Sequence, residues 1–189
     1  MKILLITVPW TIPWTVPLWR LPLLAISAAL DACWAYRNLN ALRPLWKQLT
    51  DATPHVVLGA PPSRRTDLTS FADLRIRLLR RTIEIRDARL ALRGYVTDED
   101  HRWIRDELVS HGLAGEQLDA AIEAAWLTCA AGARHHGRPY VPPTSRPARG
   151  GSDLRGEVRW LRLVDGARRC EAVATACATL SHRIAMRHP

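Results

Sequence analysis

The chain has almost no lysine, because Lys2 and Lys47 are the only lysines among its 27 basic residues. It has one phenylalanine and four cysteines, and no two of these cysteines form a C-x-x-C motif. This spacing argues against a structural zinc site and a disulfide framework, so we expect reduced thiols in a cytosolic environment. A glycine-rich phosphate loop, H-E-x-x-H, G-x-S-x-G and a dinucleotide fingerprint are also missing from the sequence. We therefore expect no cofactor.

The composition is that of a folded chain with an uneven charge distribution. Hydrophobic residues make up 48% of the 189 residues, enough for the core of one domain with a short appendage. Residues 94–133 are acidic and lie between two basic segments, residues 64–93 and 134–189. Nucleic-acid binders usually concentrate positive charge in one patch. The alternation found here equally suits helices that pair by charge inside one bundle.

The stretch from Arg75 to Tyr95 predicts the central helix of the domain. At 100° per residue, four apolar side chains gather on one side of this helix and four on the opposite side. The first set is Ile76, Leu79, Ile83 and Leu90, and the second is Leu74, Leu78, Ile85 and Leu92. A surface helix needs only one apolar stripe, so a helix with two should be sandwiched between neighbours. We predict an all-α fold, a bundle of about five helices.

Charged side chains lie between the two apolar faces of this helix. Arg80, Glu84 and Asp87 share one edge at spacings of four and three, and Arg86 lies on the other edge. Two carboxylates one turn apart could hold a cation or act as an acid–base pair. A salt-bridged helix edge is the simpler interpretation, and the flanking arginines favour it. We take Arg80, Glu84, Arg86 and Asp87 as a candidate structural or interaction network, and assign no catalytic or metal-binding residue.

Residues 1–34 form an apolar segment rich in proline and tryptophan. From Ile3 to Leu30 the only charge is Arg20, and residues 7–19 read TVPW, TIPW and TVPLW. Tryptophan is common at membrane interfaces, so we favour a membrane anchor or the remnant of a membrane domain. The repeated prolines disfavour a helix, which makes residues 18–34 the expected membrane element. A cleaved export signal and a buried segment of a soluble protein are the alternatives.

Residues 35–189 predict a helical domain. Basic residues follow the apolar segment, so a segment that spans the cell membrane would leave this domain on the cytoplasmic side. Residues 35–52 should form a helix with a kink at Pro44. Thr97, followed three residues later by an acid, should begin another helix. Residues 138–152 contain four prolines and two adjacent glycines and predict a flexible linker.

Three stretches of the sequence resemble a known family. They are LRPLWKQL at residues 42–49, RRTIEIRDARLALRGYV at residues 80–96 and DLRGEVRWLRLV at residues 153–164. They are similar to an uncharacterised actinobacterial domain, the cytoplasmic C-terminal part of multi-pass membrane proteins labelled as candidate transporters. This resemblance implies no established activity. Family members have several spanning helices before the domain, whereas this chain has at most one imperfect span, so we do not expect it to transport a substrate alone.

These observations predict a membrane-associated helical protein of unknown activity, a regulatory or protein-interaction domain rather than an enzyme. The expected partners are the membrane and an unidentified protein, and a second copy of the chain in a homo-oligomer is a further candidate. The alternative is a nucleic-acid-binding helical regulator that uses residues 64–93 and 134–169. An enzyme that uses Glu84 and Asp87 comes third.

Overall fold

The computed structural model describes residues 20–59, 73–142 and 150–187, and in these ranges α-helices and short turns form a helical bundle. The seven helices in these ranges are α1 (Arg20–Ala41), α2 (Arg43–Ala52), α3 (Leu74–Leu92), α4 (Asp98–Ser110), α5 (Gly115–His135), α6 (Leu154–Ala167) and α7 (Glu171–Arg187). Short 3₁₀ turns at Pro54–Val56 and Arg93–Tyr95 follow α2 and α3. The all-α prediction is confirmed, with seven described helices where about five were expected.

The first two helices meet at Leu42, and a proline follows in the first turn of α2. The ring nitrogen of Pro44 carries no hydrogen, so it cannot continue the backbone hydrogen bonds of α1. Leu42 joins the two helices, because its N–H donates to the carbonyl of Asn38 at 3.0 Å and its carbonyl accepts from the N–H of Trp46 at 2.9 Å. The kink predicted at Pro44 is present as the break between α1 and α2.

Side-chain caps begin two of the later helices. The hydroxyl of Thr97 accepts a hydrogen bond from the N–H of Asp100 at 3.2 Å, and the Asp100 carboxylate accepts one from the N–H of Thr97 at 3.4 Å. This capping box starts α4 where the sequence predicted a helix. At the start of α6, Asp153 Oδ1 accepts from the N–H of Gly156 at 2.7 Å.

The helix at the centre of the core is α5 rather than α3. Eleven of its residues are buried, and it contacts α2, α3, α4, α6 and α7. Most of these buried residues are alanines, which let neighbouring helices approach on several sides. Alanine contributes little to an amphipathic pattern, so the sequence pattern pointed instead to the leucine-rich α3. The prediction of α3 as the central helix is wrong for this reason.

Only one of the two apolar faces of α3 is buried. The face that consists of Leu74, Leu78, Ile85 and Leu92 packs in the core. On the opposite face Ile76 is 65%, Leu79 46%, Ile83 40% and Leu90 52% exposed. We call these four residues the outer face of α3. The predicted sandwich is therefore wrong, because periodicity shows which side chains share a face and not whether a neighbour covers it.

The first half of α1 lies outside the bundle. All described side chains from Leu23 to Cys33 are exposed, and Ala35 is the first buried residue of the helix. In the part of the chain that the structure describes, no helix combines the length and the apolar character that a membrane crossing requires. Residues 1–19, which hold the repeated proline and tryptophan residues of the apolar segment, lie outside the described ranges.

Both ends of the predicted linker contact the bundle. The N–H of Val141 donates to the carbonyl of Gly94 at 2.9 Å, and the Tyr140 ring packs edge-on against Tyr95 with centroids 5.8 Å apart. Any side chain at position 94 would collide with the Tyr140 ring, so this contact requires glycine. The middle of the linker, residues 143–149, lies outside the described residues.

Candidate functional site

Glu84 of α3 is a buried carboxylate held by donors from three parts of the chain. Only 3% of it is exposed, and it accepts hydrogen bonds from Trp46 Nε1 at 2.7 Å, the N–H of Leu58 at 3.0 Å and Arg80 Nε at 3.0 Å. A buried charge is costly unless it is paired and hydrogen-bonded. Glu84 therefore fixes α2, the segment after it and α3 against one another.

Arg81, the residue three before Glu84, is buried beside the same tryptophan. Its Nη1 donates to the carbonyl of Leu39 at 2.6 Å, and its guanidinium lies 4.8 Å from the centroid of the Trp46 ring. Leu39 is in the last turn of α1, where backbone carbonyls lack a partner within the helix. Arg81 thus caps the C-terminal end of α1 and complements its dipole.

A second buried charge cluster joins α3, α5 and α6. Arg89 Nη2 lies 2.5 Å from Glu123 Oε1, and its Nη1 lies 3.6 Å from Glu157 Oε1. Arg86 Nε reaches the same Glu157 oxygen at 3.2 Å. Glu157 also accepts a hydrogen bond from the N–H of Gly151 at 2.8 Å. The cluster therefore ties the end of the linker to three helices.

Tryptophan takes part in both clusters. Trp160 Nε1 donates to Glu123 Oε2 at 3.2 Å, just as Trp46 Nε1 donates to Glu84. A buried indole N–H needs an acceptor, and a glutamate supplies it in each case. Glu84, Glu123 and Glu157 each bind an arginine together with at least one other donor. The chemistry of both clusters is therefore that of structural networks that align helices.

The four residues singled out in the sequence do not form one site. Arg80 pairs with Glu84 at the expected spacing of four, but Arg86 contacts Glu157, 71 residues later. Asp87 is exposed, and no ion pair to it is found among the described residues. Glu84 and Asp87 consequently do not converge on a common ligand. The described ranges also contain no group of three or more His, Cys, Asp or Glu side chains placed to hold a metal ion.

Sequence reasoning missed the long-range partners. They are Trp46, Arg89, Glu123, Glu157 and Trp160. The one available signal was that the indole N–H of a buried tryptophan needs a hydrogen-bond acceptor. This rule does not identify which residue supplies the acceptor.

Several arginines of the basic segment 134–189 pair with acids of the same chain. Arg155 lies 2.6 Å from Asp31 Oδ1, and Arg159 lies 2.9 Å from Glu116 Oε2. Arg168 and Arg169 both pair with Asp165. The Arg155–Asp31 and Arg159–Glu116 pairs are exposed, and exposed pairs contribute about 0–1 kcal/mol each. The Arg159–Glu116 pair joins α6 to the acidic start of α5, whereas the pairs with Asp165 are local to the end of α6.

Arginines also surround the place where the exposed half of α1 leaves the bundle. The guanidinium of Arg155 lies 4.6 Å from the centroid of the Trp34 ring, and Arg162 Nη1 donates to Asn38 Oδ1 at 3.3 Å. Two cavities, of about 360 and 200 Å³, open beside Trp34 and share Arg155 in their walls. We call the four arginines in these walls the arginine collar; they are Arg75, Arg155, Arg159 and Arg162.

A protein-family model matches residues 32–170, well over half of the chain. The chain belongs to DUF6545, a family of unknown function. No curated protein and no solved structure matches it. The DUF6545 match begins next to Ala35, where α1 enters the core, and it contains helices α2 to α6 with both charge clusters. The expected uncharacterised domain is confirmed, whereas its actinobacterial origin and its link to transporters stay predictions.

The three stretches that carried the resemblance meet in this structure. Trp46 from the first stretch binds Glu84 from the second, and Arg86 and Arg89 from the second bind Glu157 from the third. Two buried glutamates therefore connect the three stretches that carried the resemblance.

Proposed function

We propose that this domain is a non-enzymatic interaction domain, held at the cytoplasmic face of the cell membrane by the apolar start of the chain. The observation that carries the proposal is the exposed first half of α1, which continues an apolar sequence segment and makes no contact with the core before Trp34. A helix that extends outside its own bundle with apolar side chains needs another apolar environment to cover them.

The apolar side chains of this half-helix supply a sizeable driving force. Leu23, Ile26 and Leu30 are each more than half exposed. Full burial of such a side chain contributes about 1.5–3 kcal/mol, so covering all three would contribute on the order of 3–5 kcal/mol. Residues 1–19 add three tryptophans in sequence, the side chain typical of the lipid–water interface.

The arginine collar supports the same orientation. Arg75, Arg155 and Arg159 lie at the base of the exposed half-helix, next to Trp34. Basic side chains near an anionic membrane surface contribute about 1 kcal/mol each and are enriched on the cytoplasmic side. The bundle would then face the cytoplasm with its basic end toward the lipid headgroups.

Two features support interaction rather than catalysis. The carboxylates of Glu84, Glu123 and Glu157 are engaged by donors of the same chain, so they act as structural groups. The outer face of α3 presents four aliphatic side chains in one stripe, a pattern typical of surfaces that bind proteins. The resemblance to the cytoplasmic part of candidate transporters supports a regulatory role beside a membrane protein.

Cell fractionation with substituted full-length chains tests the membrane part of the proposal. The test variant is Ile26→Glu/Leu30→Glu, and the control is Val109→Glu/Met186→Glu, which places the same charges on exposed apolar positions of α4 and α7. The unsubstituted chain and the control should stay with membranes after a carbonate wash, and the test variant should move to the soluble fraction. A soluble unsubstituted chain, or equal retention of both variants, would contradict the proposal.

The nucleic-acid alternative has its own measurement. Fluorescence anisotropy of labelled duplex DNA with the full chain at low salt detects binding that depends on arginines, and such binding weakens steeply as salt is added. Salt-sensitive binding would favour this alternative over membrane attachment.

A further inference from the structure

A cleft between α1 and α6 has the composition of an anion site. Its volume is about 360 Å³, and Trp34 and Asn38 of α1 face Arg155, Arg159 and Arg162 of α6 across it. The described lining of this cleft contains three guanidinium groups and no carboxylate. A phosphate group is the chemical class that such a lining suits, because guanidinium binds phosphate oxygens through pairs of parallel hydrogen bonds.

The three arginines are placed together by the helix that carries them. They follow one another at spacings of four and three, so they share one face of α6. Two of them are also oriented by α1, since Arg155 stacks on the Trp34 ring and Arg162 donates to Asn38. Side chains held in place before a ligand arrives lose less conformational freedom on binding.

Two carboxylates at the rim do not block this role. Asp31 pairs with Arg155 and Glu116 pairs with Arg159, and both pairs are largely exposed to solvent. Exposed pairs are weak, and each guanidinium has five N–H donors, so an arginine can keep its carboxylate and still bind a phosphate oxygen. Arg162 has the amide oxygen of Asn38 as its described partner, which leaves its positive charge uncompensated by that contact.

Apart from Asn38, the other residues in the wall of the cleft are apolar, and the cleft adjoins the exposed half of α1. Val158 and Leu163 complete its wall beside Trp34. Leu30, one turn before Trp34 on α1, is exposed just outside the bundle. A ligand that carries both a phosphate and an apolar part would therefore match the polar and the apolar wall together.

We propose that the α1–α6 cleft binds a phosphate group, presented either by an anionic phospholipid headgroup or by a soluble phosphate monoester. The lipid source rests on the proposed membrane attachment, and it identifies anionic phospholipids as the lipids that the domain recognises. The soluble source does not need membrane attachment, so the two proposals can fail separately.

Vesicle co-sedimentation of the full chain tests the lipid source. Vesicles of phosphatidylcholine alone are compared with vesicles that also contain phosphatidylglycerol. The test variant is Arg159→Gln/Arg162→Gln, and the control is Arg102→Gln/Arg105→Gln, which removes the same charge from exposed positions of α4. The affinity for the anionic vesicles should fall about tenfold further in the test variant than in the control. Both variants lose the same net charge, but only the test variant also loses phosphate contacts.

A thermal-shift assay in detergent micelles tests the soluble source. Glycerol 3-phosphate should raise the Tm of the unsubstituted chain and of the control, and leave the Tm of the test variant unchanged. A shift with glycerol 3-phosphate but no difference between the variants on anionic vesicles would assign the cleft to soluble phosphates. Equal behaviour of test variant and control in both assays would overturn the phosphate proposal. Failure of the unsubstituted chain to bind either kind of vesicle would refute membrane attachment. The thermal-shift assay in micelles would still test whether the cleft binds a phosphate group.

Discussion

Leu78 and Leu79 are neighbours in sequence but lie on opposite faces of α3, so their replacement by alanine separates two descriptions of this helix. Leu78 is fully buried, whereas Leu79 is 46% exposed. Leu78→Ala should lower the free energy of unfolding by about 2–5 kcal/mol, because it leaves a cavity in a close-packed core. Leu79→Ala removes only about half of a full leucine burial, which is worth about 1 kcal/mol. The higher helix propensity of alanine should offset part of this loss.

Urea unfolding followed by circular dichroism measures both costs in the full chain, in the same detergent and at the same protein concentration. The midpoint should fall clearly for Leu78→Ala and little for Leu79→Ala, with the slope m unchanged in both. Equal costs for the two variants would refute the reasoning, because they would show that a neighbour covers the outer face of α3. The helix would then be sandwiched, as its two apolar stripes first suggested.

Two further predictions concern the buried network and the thiols. Trp46→Phe replaces the indole by a smaller phenyl ring without the N–H that donates to Glu84. The lost hydrogen bond should lower the free energy of unfolding by about 1–3 kcal/mol in the same urea assay, and the volume removed from a buried site should add to this cost. The hydrogen bond to Cys177 and burial together raise the pKa of Cys129. Iodoacetamide should therefore label the exposed Cys33 and Cys170 in the native chain and leave Cys129 unmodified until unfolding, as read by peptide mass spectrometry; native labelling of Cys129 would contradict its burial.

The features that the sequence predicted are those set by a few neighbouring residues. Pro44 breaks a helix because it lacks an N–H, and Thr97 starts one because its hydroxyl reaches a backbone N–H three residues away. The Arg80–Glu84 contact is local in the same sense, since a spacing of four brings side chains together on any helix. Such effects do not depend on how the rest of the chain folds.

The features that the sequence did not predict depend on distant residues. Glu84 can be buried because Trp46 and the N–H of Leu58, 38 and 26 residues away, donate to its carboxylate together with the nearby Arg80. Without knowledge of these donors, the sequence favours an exposed salt bridge, because burial of an unpaired charge costs free energy. The central position of α5 was missed for a related reason, because its alanines gain their burial from close helix packing rather than from side-chain size.

The second buried cluster also bears on how the cleft variants should be interpreted. Glu157 faces α3 through Arg86 and Arg89, while Arg155 and Arg159, two residues to either side of it on α6, face α1 and the cleft. The ion pairs of Glu157 therefore set the rotation of α6 about its own axis, and with it the direction of the cleft arginines. A substitution at Glu157 would disturb stability and ligand binding together. Arg159 and Arg162 pair with Glu116 and Asn38 rather than with Glu157, so their substitution leaves that cluster intact. A binding loss without a stability loss in those variants is consequently the signature that distinguishes contact with a phosphate from a reoriented helix.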